Sequence, residues 1–206
     1  MSAKYIMKLL TLGDKNVGKS SIILRYSDNK FNERTNATIG IDFKSKLIQK
    51  GNEIIKVTIY DTAGQERFNH IIKSYYKGTN GVLLIYDITD RDSFQKINFW
   101  LEDLKNNADD INNIFMYLVG NKKDLSDKRK IDYKEASDFA KEKKLPYIEV
   151  SAKTGDNIKQ LFDEMIKGTM INMLSKEKKD NSNGQSIRLS FLDKEEKVIK
   201  DRVKCC

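Results

Sequence analysis

The sequence predicts an α/β fold, a mostly parallel sheet with flanking helices, and three observations carry that prediction. Apolar runs and turn signals alternate along most of the 206 residues, the rhythm of βα units around one sheet. Gly81 to Tyr86 and Ile114 to Gly120 are nearly continuous apolar runs, as strands covered on both faces require. Residues 13 to 20 read GDKNVGKS, a G-x-x-x-x-G-K-[ST] loop set where a short apolar strand hands over to a helix.

Taken in order, Lys4 to Leu12 is the first strand and Lys19 to about Asn29 the first helix. Asp42 to Gln49 and Ile54 to Tyr60 flank Lys50-Gly51-Asn52-Glu53, a hairpin turn signal, so this pair adds an antiparallel edge to the sheet. Gly81 to Tyr86, Ile114 to Gly120 and Tyr147 to Val150 supply the remaining strands. Asp92 to about Asn106 and Asp132 to about Lys143 are helical by period, and a last helix gathers Ile158, Leu161, Phe162, Met165 and Ile166 on one face as core. Beyond Leu174 the chain turns to SKEKKDNSNGQ, too polar to bury much apolar surface. The expected organisation is one domain over residues 1–174 and a disordered tail over 175–206. Within the tail, Ile187 to Leu192 is a short apolar island, either a docking segment or residual composition.

Composition narrows the function. The chain carries a net charge of +8, but Lys and Arg interleave with Asp and Glu throughout, and the tail holds nine basic against six acidic residues. That is a diffuse basic surface without an RNP, zinc-ligand or basic-helix signature, so no nucleic-acid partner is expected. No apolar run approaches the roughly 18 residues that span a bilayer, and MSAKYIMKLLTLG reads as a strand entering the loop rather than a cleavable signal. Cytosolic residence is the expectation. His70 is the lone histidine and more suited to a surface position than to a metal site. Both cysteines, Cys205 and Cys206, close the chain; they are either inert, disulfide-linked or lipid-bearing. A reducing cytosol disfavours the disulfide, and lipid is preferred, although Cys-Cys is not the C-a-a-X pattern.

The loop's chemistry is specific. Gly13 and Gly18 let backbone N–H groups curl around a phosphate at the positive end of a helix dipole. Lys19 supplies a cation for the terminal phosphates and Ser20 a hydroxyl for Mg²⁺. The alternative is a glycine turn with an incidental Lys-Ser. Three more segments follow strand ends, where open α/β sheets bind ligands: Asp61-Thr-Ala-Gly64-Gln65-Glu66, Asn121-Lys122-Lys123-Asp124 and Ser151-Ala152-Lys153. Asp61 can reach Mg²⁺ through water, and Gly64 can bring its N–H to a terminal phosphate. An Asp124 carboxylate accepts from both the ring N–H and the exocyclic amine of guanine, a donor pair that adenine lacks. Asn121 can brace the loop, the stems of Lys122 and Lys153 can cover the base, and the Ala152 N–H can meet the guanine carbonyl beside Ser151. Each tetrapeptide alone could be a charged turn; together and in this order they point to guanine nucleotide.

With these motifs the chain resembles the Ras superfamily of small GTPases, and within it the Rab family. The resemblance covers residues 5 to 174: GDKNVGKS, Thr38 to Phe43, DTAGQERF (Asp61 to Phe68), Tyr75 to Thr79, Leu84 to Thr89, NKKD and SAK. It implies a P-loop G domain with a six-stranded sheet, one antiparallel edge strand and about five flanking helices. It implies a nucleotide loop made of Gly13, Asp14, Lys15, Asn16, Val17, Gly18, Lys19, Ser20 and Ser21, with Phe31 edge-on to the base. Thr38 would join Ser20 and Asp61 around Mg²⁺, Gln65 would orient the attacking water, and Lys19 would assist catalysis. Ile39, Gly40, Ile41, Phe43, Tyr60 and Tyr75 would be read by effectors, with Tyr60 standing where relatives carry Trp. Lys15-Asn16 also departs from the small residues usual there.

The resemblance further implies GTP/GDP and Mg²⁺ as cofactors and slow GTP hydrolysis stimulated by an activating protein. Exchange factor, effectors, prenylation escort protein and GDP dissociation inhibitor are the implied partners of a monomer. Geranylgeranyl groups on Cys205 and Cys206 would hold it on the cytosolic face of intracellular membranes, with a cytosolic pool, in vesicle-mediated transport. A P-loop kinase or ATPase fits residues 13 to 20 equally but leaves NKKD and SAK unexplained. A binding module without turnover is opposed by Thr38, Asp61 and Gln65.

Overall fold

The computed structural model describes residues 3–33, 40–51, 53–62 and 69–180. Expectations placed on Thr38, Ile39, Gly64, Gln65, Cys205 and Cys206 lie outside the described residues. Among the described residues, six strands make one sheet: β1 (Tyr5–Leu12), β2 (Ile41–Lys50), β3 (Glu53–Thr62), β4 (Gly81–Asp87), β5 (Phe115–Asn121) and β6 (Tyr147–Glu149), in the order β2-β3-β1-β4-β5-β6. β2 pairs antiparallel with β3, and the other neighbours are parallel.

Side-chain alternation divides the interior into two cores. In β4, Leu83 and Ile85 face one core while Val82, Leu84 and Tyr86 face the other. The first core closes against α1 (Lys19–Asp28) and α6 (Ile158–Asp180), where Ile22, Leu161, Phe162 and Met165 meet Met7, Leu9, Val57 and Ile59. The second closes against α2 (Asn69–Tyr76), α3 (Arg91–Gln95), α4 (Ile97–Asn107) and α5 (Tyr133–Glu142), through Ile72, Phe94, Trp100, Leu104 and Ala136. Helices leaving β1 and β4 therefore go to opposite faces, and a crevice opens between them at the carboxyl edge of the sheet.

The edge strand β2 is held differently. Lys46 sits with its ammonium 4.6 Å from the centre of the Tyr26 ring, Lys44 pairs with Asp28 at 3.5 Å, and the Ser45 and Thr58 hydroxyls meet at 3.0 Å. Lysines along such an edge discourage pairing with another chain.

Six helices flank the sheet among the described residues, in keeping with the expected architecture, and three details of them differ. One is α2, in a stretch where the sequence carries no strand or helix signal; its eight residues make barely two turns. Tertiary bonds hold it, since the Tyr76 hydroxyl donates to Asp103 at 2.7 Å and Lys73 pairs with the same carboxylate at 3.3 Å. The expected helix from Asp92 to Asn106 is instead two, broken at Lys96 (ψ −9°), whose side chain reaches away to the phosphate loop. Finally, α6 runs to Asp180 although burial stops at Leu174. Leu174 is the last buried residue among those described, and beyond it the helix has local bonds such as Ser175 Oγ to the Ile171 carbonyl at 2.8 Å, in a Lys- and Glu-rich stretch that favours helix. None of the described helices is long and apolar enough to cross a membrane.

Candidate nucleotide-binding site

The loop after β1 has the backbone that its glycines anticipate. Gly13 holds φ +151°, and a Cβ there would collide with the Ile85 carbonyl oxygen on the neighbouring strand. Gly18 holds φ +94° as the cap of α1, and a Cβ would strike the Asn121 amide. Asn16 takes the left-handed conformation at φ +63°, which Asn tolerates better than most side chains. Ser20 and Ser21 lie half-buried in the first turn of α1, where the orientation of the backbone N–H groups and the helix dipole favour an anion.

Lys19 is the electrostatic centre. Its ammonium is buried and donates to the carbonyls of Gly13 at 2.9 Å and Asp14 at 2.8 Å, so the side chain folds back across the loop it follows. Burial pushes its pKa down to about 8, against the opposing pull of the Asp61 and Asp14 carboxylates. Asp14 is buried too; it accepts from the Lys15 N–H at 2.8 Å and pairs with Lys96 at 2.6 Å. Lys15 and Asn16 point to solvent, and Val17 is buried. Asp61 ends β3 beside Lys19, and its strand is tied to β1 by Thr62 Oγ1 donating to the Thr11 carbonyl at 2.6 Å. No cluster of three or more His, Cys, Asp or Glu that could hold a metal occurs among the described residues. The donors present, one hydroxyl at Ser20 and one carboxylate at Asp61, are oxygens suited to Mg²⁺ shared with phosphate rather than caged by protein.

A second group of side chains stands at the ends of β5 and β6. Asn121 is buried; its amide donates to the Val17 carbonyl at 2.8 Å, and its oxygen accepts from the Ala152 N–H at 3.2 Å. One side chain thus links the phosphate loop to the loop after β6. The Ala152 N–H, expected at a guanine carbonyl, is turned toward Asn121 by this long hydrogen bond. Ser151 donates to Asp124 at 2.5 Å while its oxygen accepts from the Thr154 N–H at 3.1 Å, which fixes the carboxylate on the rim. Lys122 takes φ +65° and its ammonium meets Asp87 at 2.6 Å. Lys153 pairs with Glu33 at 3.2 Å, and Phe31 packs half-buried against the first core.

The aromatic residues form a separate surface. Tyr60 lies between Phe43 and Tyr75, with ring centres 5.9 Å and 5.3 Å away, and Lys8 holds its ammonium within 5.5 Å of both tyrosine rings. Phe43 is 59% exposed. Ile41 packs half-buried against the second core, and Gly40 turns at φ +80° just before β2. A tyrosine in the middle position therefore still completes a contiguous cluster.

Sequence reading missed Arg25, Asp87 and Lys96. Each acts on a partner far along the chain; Arg25 and Lys96 belong to no motif, and Asp87 lies within the Leu84 to Thr89 segment without a role assigned to it.

A glycine-bounded loop at the head of α1, joined by one buried asparagine to a rim that carries a fixed carboxylate, has the form of a nucleotide-binding site. Comparison with known proteins agrees: the chain belongs to the Ras family, whose model matches residues 8–171. It is similar to the Ras-related protein RABD2a of Arabidopsis thaliana, with 40% identity over 185 residues and 90% of each chain covered. It is also similar to GTP-binding protein ypt1 of Schizosaccharomyces pombe, with 42% identity and 77% of each chain covered. GTP-binding protein YPT1 of Saccharomyces cerevisiae is 40% identical, covering 89% of this chain and 93% of its own. The chain is thus a Rab-like small GTPase.

Proposed function

We propose that this GTPase is a membrane-recruited switch in vesicle-mediated transport, whose bound nucleotide decides which partners it holds. The observation that carries the reading is the Asn121 bridge, with Asp124 fixed by Ser151 at one end and the Gly13–Ser20 loop at the other. Asp124 accepts from the guanine edge, the stems of Lys122 and Lys153 cover its faces with Phe31 at the edge, and the Ala152 N–H turns from Asn121 to the guanine carbonyl. Backbone N–H groups of residues 14 to 18 and the Lys19 ammonium bind the phosphates. Lys19 exchanges its two carbonyl acceptors for phosphate oxygens, a trade of neutral acceptors for charged ones. Ser20, Asp61 and Thr38 would hold Mg²⁺, whose charge would offset that of the phosphates.

Gln65 orients the attacking water and the Gly64 N–H and Thr38 hydroxyl tether two segments while the γ-phosphate is present; hydrolysis releases both. Turnover without help is slow, because among the described residues Lys19 is the one buried cation in the loop, and phosphoryl transfer depends on positioned charge. An activating protein supplies what is lacking, and an exchange factor restores GTP. Effectors read Phe43, Tyr60 and Tyr75 together with Ile39, Gly40 and Ile41.

Competition of GTP against ATP for the purified chain tests the nucleotide reading. A guanine preference on the order of 10⁴-fold is expected from an edge that leaves buried acceptors unpaired with adenine; equal affinity would overturn it.

The domain of residues 1–174, acting as a monomer, carries its tail of residues 175–206 to lipid at Cys205 and Cys206, where geranylgeranyl groups, an escort protein for their attachment and a GDP dissociation inhibitor complete the cycle on cytosolic membrane faces. Two chains anchor stably where one anchors marginally. Fractionated cells should show wild type in membranes and the soluble pool, Cys205→Ser with a reduced membrane share, and the double Ser variant soluble. A double variant still in the membrane fraction would refute lipid anchoring.

A further inference from the structure

Arg25 lies in the last turns of α1 and makes no contact with the phosphate loop that begins the helix. Its guanidinium serves three backbone carbonyls instead. Nε donates to the Ala152 carbonyl at 2.9 Å, one terminal nitrogen to the Lys153 carbonyl at 2.6 Å, and the other to the Asn29 carbonyl at 3.0 Å and side-chain oxygen at 3.2 Å. Its stem passes along the turn at Gly155, where a Cβ would stand 3.7 Å from the arginine Cδ. Asn29, in the left-handed conformation at φ +52°, ends α1 and starts the segment that carries Phe31 and Glu33.

We infer that Arg25 is the positioning residue for base recognition: its fork fixes the Ala152–Lys153 backbone and the segment bearing Phe31 to the helix that begins with Lys19 and Ser20. The inference rests on the guanine reading given above. Carbonyls of Ala152 and Lys153 held from behind fix the Ala152–Lys153 and Lys153–Thr154 peptide units and, through the Ala152 Cα, restrain the preceding unit, whose N–H bonds Asn121 here and turns to the base in the guanine reading. The loop also bonds to itself, the Gly155 N–H donating to the Ser151 carbonyl at 2.8 Å and the Ser151 N–H to the Asp156 carbonyl at 3.1 Å. Among the described residues, Asn121 and Arg25 therefore connect this loop to the phosphate-binding half from two sides, Asn121 through the N–H of Ala152 and Arg25 through its carbonyl. A planar fork reaches several acceptors at fixed angles, whereas a lysine at this position can serve them only as a point donor.

The test uses the full chain loaded with GDP or with the diphosphate of 2-aminopurine riboside, which keeps the exocyclic amine for Asp124 but lacks both the carbonyl for Ala152 and the ring N–H; the lost ring N–H is common to every variant, so a change in preference between variants reports the carbonyl. Dissociation of each is followed in wild type, Arg25→Ala and Arg25→Lys. Loss of the charge-assisted bonds in Arg25→Ala should speed GDP release on the order of tenfold to a hundredfold. The preference for GDP over the carbonyl-free analogue should fall in parallel, with Arg25→Lys between the two, while single-turnover hydrolysis of bound GTP stays within about twofold of wild type, as the phosphate end is untouched. Faster release with an undiminished preference, or unchanged release, would overturn the inference; Arg25→Lys answers the question even if Arg25→Ala fails to fold. Wild type that holds the two diphosphates equally would sink the guanine reading itself, a failure distinct from that of Arg25.

Discussion

Lys19→Met is expected to weaken GTP binding on the order of 10²- to 10³-fold, the scale for truncating one member of a buried charged hydrogen-bonded pair. The ammonium is already desolvated without nucleotide, as its lowered pKa records, so little further desolvation opposes its transfer to phosphate. The same fact separates a binding defect from a folding defect. Methionine has a similar length and no charge to bury, so the substitution removes the desolvation cost that lowers the lysine pKa, while Asp14 keeps its pairing with Lys96. The Gly13 and Asp14 carbonyls lose a donor, yet they border the crevice. Melting of the nucleotide-free variant should thus match or exceed wild type while calorimetric titration with GTP and Mg²⁺ shows the loss. A variant that melts far below wild type would mean that the lysine's bonds to its own loop hold the fold.

Asp124→Asn should abolish the guanine preference, a change on the order of 10⁴-fold measured by competition. The substitution is clean because the asparagine oxygen can still accept the Ser151 hydroxyl now bonded to Asp124, which leaves the loop's inner framework in place. What changes is the outward edge, where two acceptor positions become an acceptor and a donor. Xanthine has a carbonyl where guanine has its amine, so the variant should gain xanthosine triphosphate as it loses GTP. Retained preference for GTP would place guanine recognition elsewhere in the molecule.

The readable parts of the molecule were those in which one residue's chemistry has few substitutes. Gly13 and Gly18 must be glycine because neighbouring atoms occupy the space of a Cβ, and the apolar runs of β4 and β5 follow from helices on both faces of the sheet. Asn121, Asp124 and Ser151 were legible as a set and do assemble. By contrast, Arg25 and Ala152 are 127 positions apart, and Lys96 and Asp14 are 82 apart. An arginine on an amphipathic helix looks alike whether it meets solvent or three carbonyls. The helix α2 escaped for a related reason, since its stability is borrowed from Asp103 on α4 rather than written in its own eight residues.

That carboxylate has a mechanical consequence. Asp103 takes the Tyr76 hydroxyl on Oδ2 and the Lys73 ammonium and Asn107 amide on Oδ1, so the final turn of α2 is riveted while its first turn adjoins the segment that carries Gln65. Tyr75 lies in that anchored turn with its ring 5.3 Å from that of Tyr60, so the aromatic surface is braced from α4 through α2.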